Sequence, residues 1–190
     1  MTLLATFLWW MAAAALFVPF VDIVQRTFGP KHWVERATRT RVILGVLEIA
    51  TLALLVAVHG RWRFLPLQHD GVALAGAVLA LTGALLAAWA KASLGRFFTP
   101  QLGVQADHRL ITSGPYAIVR HPIYLGIIDF LLGSALYWND VALLGVGLLF
   151  ITYFVAQLRV EERFFARHFG AEWDAYTART PALFPWLRRR

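Results

Sequence analysis

The sequence predicts an all-α integral membrane protein of five helical spans, and three observations predict it. Of its 190 residues, 59% are hydrophobic and only 15% charged, far more apolar than a soluble domain. The apolar residues gather into five stretches, each long enough to cross or nearly cross a bilayer. The basic residues fall almost entirely in alternate loops between those stretches, which is the pattern that orients membrane proteins.

The spans run over 3–24, 42–59, 72–90, 123–138 and 141–158. In the first, the run from Ala12 to Ala15 offers small residues, but no basic segment precedes it and the apolar character continues through Phe17-Val18-Pro19-Phe20-Val21. It is read as a retained span rather than a cleaved leader. The fourth has 16 residues, about 24 Å of straight helix, so its polar flanks or local thinning must complete the crossing.

Between spans one and two lie Arg26, Lys31, Arg36, Arg39 and Arg41; between two and three, Arg61 and Arg63. The third loop carries Lys91, Arg96, Arg109 and Arg120, the Asn139-Asp140 turn has no basic residue, and the tail has seven arginines. With the N-terminus outside, sixteen basic residues face the cytoplasm and two face away. Topology and anionic headgroups therefore account for the net charge of +7, without nucleic acid as a partner. Whether the membrane is a bacterial inner membrane or the endoplasmic reticulum is left open by the charge pattern.

The absence of cysteine excludes disulfides, thiolate nucleophiles and Cys-based metal centres. His32, His59 and His69 show no ligand spacing, so no metal is expected. No repeat or low-complexity linker appears. The chain reads as one domain, 1–190, with three N-terminal spans over 1–90 and a functional half over 91–190.

Segment 25–41 mixes Phe28, Trp33 and Val34 with basic residues, as an interfacial segment would. Trp62, Phe64, Leu65 and Pro66 form an aromatic anchor on the outer face. The loop over 91–121 is long enough that function is expected there. Pro100 and Gly103 should end the helix leaving span three. Thr112, Ser113, Gly114 and Pro115 make a turn before Tyr116, and Pro122 suits the first position of span four.

Arg120 and His121 then stand at the start of a helix entering the membrane from the cytoplasm. The free N–H groups and dipole of that helix favour a bound carboxylate or phosphate. Span five returns to the same side and delivers Gln157, Arg159, Glu161 and Glu162. Pairing of the glutamates with Arg159, Arg163 or Arg167 along the helix is the plain alternative. Tyr116 and Tyr124 also suit an interfacial aromatic belt, and Arg120 a lipid-phosphate anchor. Gly126, Gly133, Gly145 and Gly147 suit close helix packing. Phe164, Phe165, Phe169 and Trp173 around His168 suit an amphipathic C-terminal helix roofing the site. Asp22, Glu48 and Asp129 are ionisable residues inside or at the edge of spans, candidates by default, with no role assigned.

Across the C-terminal half the sequence resembles the isoprenylcysteine carboxyl methyltransferases and related membrane phospholipid methyltransferases. The likeness rests on His108-Arg109-Leu110-Ile111 with Thr112-Ser113-Gly114-Pro115-Tyr116, and on Arg120-His121-Pro122-Ile123-Tyr124-Leu125-Gly126. It continues in Glu161-Glu162, in His168-Phe169-Gly170 with Trp173 and Tyr176, and in Thr180-Pro181 with Leu183 and Pro185. The resemblance implies S-adenosylmethionine as cofactor and S-adenosylhomocysteine as product. No Gly-x-Gly-x-x-Gly follows a strand pattern here, in keeping with a cofactor site of another kind.

Carried over, it implies cofactor contacts at Gln101, His108, Arg109, Leu110, Ile111, Tyr116, His121, Pro122, Ile123, Tyr124 and Glu161. Glu161 suits the positive groups, Arg120, His121 and the helix start the carboxylate, and Tyr116 and Tyr124 the sulfonium or adenine. Arg120 and Glu162 are the catalytic candidates, Glu162 or His121 serving as base where the acceptor must lose a proton. The position of a substrate-contacting arginine in the prenylcysteine enzymes falls on Gln157, which puts a prenylcysteine carboxylate in doubt. The implied partners are membrane lipids and a lipophilic acceptor reaching the site from the bilayer. A phospholipid amine and a thiol remain open as acceptors; an NADPH-dependent reductase akin to sterol reductases and a non-catalytic lipid-binding scaffold are the other classes.

Overall fold

A computed structural model of the chain describes residues 33–36, 70–98, 103–105 and 107–184. The first two expected spans, Gln101, Asp22, Glu48 and the aromatic anchor at 62–66 lie outside these residues. In chain order the elements are strand β1 (Trp33–Arg36), helix α1 (Asp70–Leu94), a 3-10 turn (Gly95–Phe97), strand β2 (Gly103–Gln105), a second 3-10 turn (Gly114–Ala117), and helices α2 (Pro122–Trp138), α3 (Val141–Phe169) and α4 (Ala171–Arg179).

Two of these helices are long and apolar enough to cross a membrane, one running from Asp70 through the adjoining turn to Phe97 and the other from Val141 to Phe169; Pro122–Trp138 is shorter. The three coincide with the third, fifth and fourth expected spans. Helix dominates, as expected, with one exception among the described residues. β1 and β2 pair antiparallel, Trp33 opposite Gln105, Glu35 opposite Val104 and Arg36 opposite Gly103. That pairing joins the loops over 25–41 and 91–121, the two that the charge pattern puts on one face.

α1 sorts its residues by size. Gly76, Ala80, Gly83, Ala87 and Ala90 are buried, whereas Leu74, Val78, Leu81, Leu85 and Trp89 are exposed. The buried row meets Gly126 and Gly133 of α2 so closely that backbones touch. A Cβ added at Gly133 would sit 2.4 Å from the Ala80 nitrogen, and one at Gly83 would sit 2.6 Å from the Gly126 oxygen. In lipid, apolar surface gains nothing by merely leaving its surroundings, so close van der Waals approach of small residues does the holding. Gly133→Val is therefore expected to lower the thermal unfolding midpoint in detergent, by an overpacking cost of about 1–3 kcal/mol or more. An unchanged midpoint would mean that the two helices do not depend on this contact.

The expectation for glycines holds at Gly126 and Gly133 but not throughout. Gly147 makes ordinary contact with Leu132, and Gly145 has nothing within 4 Å of the position a Cβ would take. Both lie on α3, where larger side chains meet α2 instead. Ile127, Ile128 and Leu131 pack on Phe154, with Tyr124 and Ile151 alongside.

The hairpin from α2 to α3 is as tight as its sequence suggests. Asn139 takes a left-handed conformation at φ 52° and its N–H closes on α2. The buried Asp140 caps α3 by accepting from the N–H groups of Ala142 (2.8 Å) and Leu143 (3.3 Å), satisfying donors that a helix start leaves open.

Two boundaries differ from expectation. α1 ends at Leu94, where Gly95 adopts φ +51°, before Pro100 and Gly103 are reached. At the other end the residues expected in one amphipathic C-terminal helix divide between two, Phe164, Phe165, His168 and Phe169 ending α3 and Trp173 lying in α4. α3 runs unbroken past Leu158 to Phe169, with no proline or glycine between those two residues, and Gly170 at φ 51° turns the chain into α4.

Candidate functional site

The site grows from the start of α2 and the last turns of α3. His121 precedes Pro122, whose fixed backbone and missing N–H suit a first helical position. Three residues on, Tyr124 stacks flat on His121 (5.7 Å between ring centres, 8° between planes) and on Phe154 of α3 (4.6 Å, 15°). This stack locks the two helices in register and points ring edges at Glu161 and Glu162.

The two glutamates are adjacent in sequence but live in different electrostatic surroundings. Glu162 is paired: Arg120 donates to its Oε1 through Nε (3.1 Å) and Nη2 (2.5 Å), and His121 Nε2 lies 3.3 Å from the same oxygen. Glu161 accepts from the Tyr124 hydroxyl and from the Gln157 amide, and faces His121 Nδ1 at 3.7 Å. No arginine or lysine among the described residues forms a salt bridge with it. Its side chain is 19% exposed and that of His121 6%. Burial disfavours the charged form of this carboxylate, and a bound cation would offset that cost.

Arg120 has its remaining contacts with the chain's end. Its Nη1 donates to the carbonyls of Thr177 (3.3 Å) and Thr180. The backbone adds two bonds, Arg120 N–H to Pro181 O (2.8 Å) and His121 N–H to Ala182 O (3.0 Å). Segment 177–182 is thus a strap laid over the start of α2, and it takes two of the N–H groups that the sequence left free for an anion. Arg120, 11% exposed, faces protein rather than headgroups.

Tyr176, nearly fully buried, donates its hydroxyl to the Tyr116 carbonyl at 2.6 Å, fastening α4 to the turn over 114–117. Tyr116 is itself buried. Burial first, then Tyr176 and Glu161 nearby, push its phenol far above the ordinary tyrosine range, so it stays neutral. Neither Tyr116 nor Tyr124 is an interfacial belt residue.

His108 forms a second cluster near the end of α3. Its ring lies between Phe97 (4.9 Å) and Phe169 (5.9 Å), and its buried Nδ1 has no hydrogen-bond partner. Desolvation, with His168 assisting, lowers its pKa, so the imidazole is neutral at physiological pH. The guanidinium groups of Arg96 and Arg109 lie over Phe97 at 4.8 and 5.9 Å. Leu110 and Ile111 are half-buried and Arg109 exposed. Phe169 is seven residues past Glu162, about 10 Å along the helix, so both clusters share one end of α3.

The structure therefore brings together Arg120, His121, Pro122, Ile123, Tyr124, Gln157, Glu161 and Glu162, sets Tyr116 beside them, and places His108–Ile111 toward the end of α3. Sequence reasoning missed the strap's hold on Arg120. Carbonyl oxygens carry no residue signature, and only the Thr180-Pro181 pattern marked the segment. It also offered Arg159, Arg163 and Arg167 as partners for the glutamates. All three are exposed, and Arg120 takes the role from 42 residues away. Among the described residues no group of three or more His, Cys, Asp or Glu is arranged to hold a metal.

Comparison with known proteins adds to this geometry. Residues 72–172 match the sequence model of a family described as phospholipid methyltransferase. The chain is 26% identical over 123 residues to protein-S-isoprenylcysteine O-methyltransferase B of Arabidopsis thaliana, covering 63% of this chain and 62% of that one. It is 32% identical over 153 residues to a cobalt-zinc-cadmium resistance protein of Cupriavidus metallidurans, covering 78% and 66%. Against the solved structure of the eukaryotic intramembrane Ras methyltransferase, isoprenylcysteine carboxyl methyltransferase, the fold agrees with a TM-score of 0.57 at 21% identity, over 82% of this chain and 55% of that one. In each case the chain spans less than two thirds of the relative's length.

Proposed function

The chain belongs to the phospholipid methyltransferase family, and from that premise we propose that it is a membrane methyltransferase using S-adenosylmethionine to methylate a lipophilic acceptor. The observation that carries the reading is Glu161. It is a largely buried carboxylate held by a hydroxyl, an amide and an imidazole, in contrast to its neighbour Glu162, which is paired with an arginine. Retaining such a charge at a membrane boundary is costly unless a cation binds it.

The residues present fit this cofactor. Glu161 suits its ammonium and sulfonium, and the flat faces of Tyr116 and Tyr124 suit a cation or an aromatic base. The unused Nδ1 of His108 offers a hydrogen bond at the other cluster, with Arg109 beside it for a carboxylate. When bound, S-adenosylmethionine supplies a methyl group made electrophilic by its positive sulfur. The protein's share is to hold the nucleophile in line and keep water out, which alone accounts for much of the rate in such displacements.

Arg120 and Glu162 act in this reading by fixing the start of α2 against α3, and Gln157 faces the acceptor. α1 and α3 cross the membrane with α2 between them. The charge pattern puts the 91–121 loop, the end of α3 and the strap at the cytoplasmic face, where a soluble methyl donor arrives. The β1–β2 pairing supports that arrangement, since it joins two loops assigned to the same side.

Membranes carrying the chain, incubated with methyl-labelled S-adenosylmethionine, are expected to place label in the lipid-extractable fraction. Membranes lacking the chain should stay at background. Equal labelling of both would refute the reading.

A further inference from the structure

We propose that Tyr176 is a positioning residue that sets how strongly the site prefers the charged methyl donor over its neutral product. It does so through Tyr116, whose backbone it holds so that the ring stays beside Glu161. The proposal rests on the methyl-transfer reading above and deepens it, by assigning selectivity between S-adenosylmethionine and S-adenosylhomocysteine to a residue of α4.

Two observations carry it. The first is where the Tyr116 peptide finds its partners. In the turn over 114–117 the N–H groups of Ile118 and Val119 both donate to Pro115 O, at 3.1 and 3.2 Å. The next two, from Arg120 and His121, go to Pro181 and Ala182 of the strap. The N–H groups that ordinarily close on a carbonyl three or four residues back are thus spent elsewhere. The Tyr176 hydroxyl meets Tyr116 O in their place, at 2.6 Å, between two buried residues. Burial raises the Tyr176 phenol well above its ordinary range, so it keeps its proton and donates. Leaving a buried carbonyl without a donor is costly, so α4 and the turn hold one position together.

The second is how the two tyrosines near Glu161 are fixed. Tyr124 is held by its side chain, stacked on His121 and Phe154 and bonded through its hydroxyl to Glu161. Tyr116 is held by its backbone. On one side Gly114, at φ +61°, brings the turn against α1, where an added Cβ would lie 3.2 Å from Ser93 Oγ. On the other side stands Tyr176. The Tyr116 ring is close enough to Glu161 for the carboxylate to push its phenol upward, and it stays neutral. A cation drawn to Glu161 therefore has a neutral aromatic ring beside it.

Attraction between a cation and a ring face needs the charge within about 6 Å of the ring centre. A turn that drifts from its place forfeits this attraction. A neutral thioether at the same point loses little, because it carries no charge for the ring to attract. Glu161 attracts the cation wherever the ring lies, so the share that depends on Tyr176 can be measured separately.

The test is the calorimetric affinity of the purified chain for S-adenosylmethionine and for S-adenosylhomocysteine, with the thermal midpoint, in wild type and three variants. Tyr176→Phe should weaken S-adenosylmethionine about tenfold, the scale of a desolvated cation–π contact, and S-adenosylhomocysteine by less than about threefold. Tyr116→Leu removes the ring itself and should shift the ratio of the two affinities at least as far. Trp173, whose ring meets Tyr176 and Phe165 edge-on and tilted at 5.7 and 5.3 Å, packs α4 on α3. Trp173→Phe should lower the midpoint and keep the wild-type ratio, since the hydroxyl bond is retained. An equal loss for both ligands in Tyr176→Phe is what a merely structural bond gives, and it overturns the proposal. Unchanged affinity for both overturns it as well. Should Tyr176→Phe not fold, a wild-type ratio in Tyr116→Leu overturns it instead. Binding of neither ligand to folded wild type overturns the methyl-transfer reading beneath it.

Discussion

Arg120→Ala is expected to lower the unfolding midpoint and to abolish methyl transfer together. Arg120 is 11% exposed and holds three structures at once: Glu162 of α3, and the Thr177 and Thr180 carbonyls of the strap. Its removal leaves Glu162 with only His121 and strands two carbonyl oxygens. Breaking a buried pair by removing one partner costs about 3–5 kcal/mol. For a chain of this length that corresponds to a fall of roughly 6–12 °C at the lower end of the range. Arg120→Lys should recover little, because an ammonium cannot serve a carboxylate and two carbonyls in three directions. Thermal unfolding in detergent, followed for wild type and both variants, measures this. A wild-type midpoint in Arg120→Ala would show that the strap is held by other means.

Glu161→Ala is expected to remove cofactor binding while costing far less stability. The carboxylate is the charge that the surrounding helices leave without a guanidinium, and charge-assisted hydrogen bonds contribute about 1.5–3 kcal/mol each. Losing one or two of them lowers affinity by roughly 10²-fold or more. Glu161→Gln separates charge from shape. Its amide oxygen still accepts from Tyr124, so the fold should survive, yet affinity should drop nearly as far as in the alanine variant. If the glutamine variant bound like wild type, the carboxylate would be a packing group.

Much of this is legible in the sequence alone. The three described spans, the tight Asn139-Asp140 hairpin and the meeting of the α2 start with Glu161 and Glu162 follow from apolar length, one N-cap and short loops. These are local signals, each carried by a residue type. The size-sorted faces of α1 were also latent in its sequence, since Gly76, Ala80, Gly83, Ala87 and Ala90 recur at helical spacing.

What escaped depended on backbone groups and on distant pairing. Glu162 chose Arg120 over Arg159, Arg163 and Arg167 because α2 and α3 are antiparallel neighbours whose ends meet. Helical spacing along α3 alone favoured the wrong partners. The strap took the N–H groups of Arg120 and His121 through the carbonyls of Pro181 and Ala182, and a carbonyl has no sequence signature. The site left over is poorer in free anion-binding groups than a reading by residue type implied. The course of α3 through Phe169 agrees with the helical spacing read for Arg159, Arg163 and Arg167: the apolar span ends at Leu158, but no glycine or proline follows before Gly170, so the helix continues into charged sequence.

The central claim is that Glu161 and its neighbours form a site for a sulfonium methyl donor. Titration calorimetry of the purified chain with S-adenosylhomocysteine, wild type beside Glu161→Gln, tests it most directly. The account predicts saturable one-site binding to the wild type and a loss of roughly 10²-fold in the variant, from the charge-assisted bonds removed. No binding to a folded wild-type chain, or equal binding to both, would contradict it.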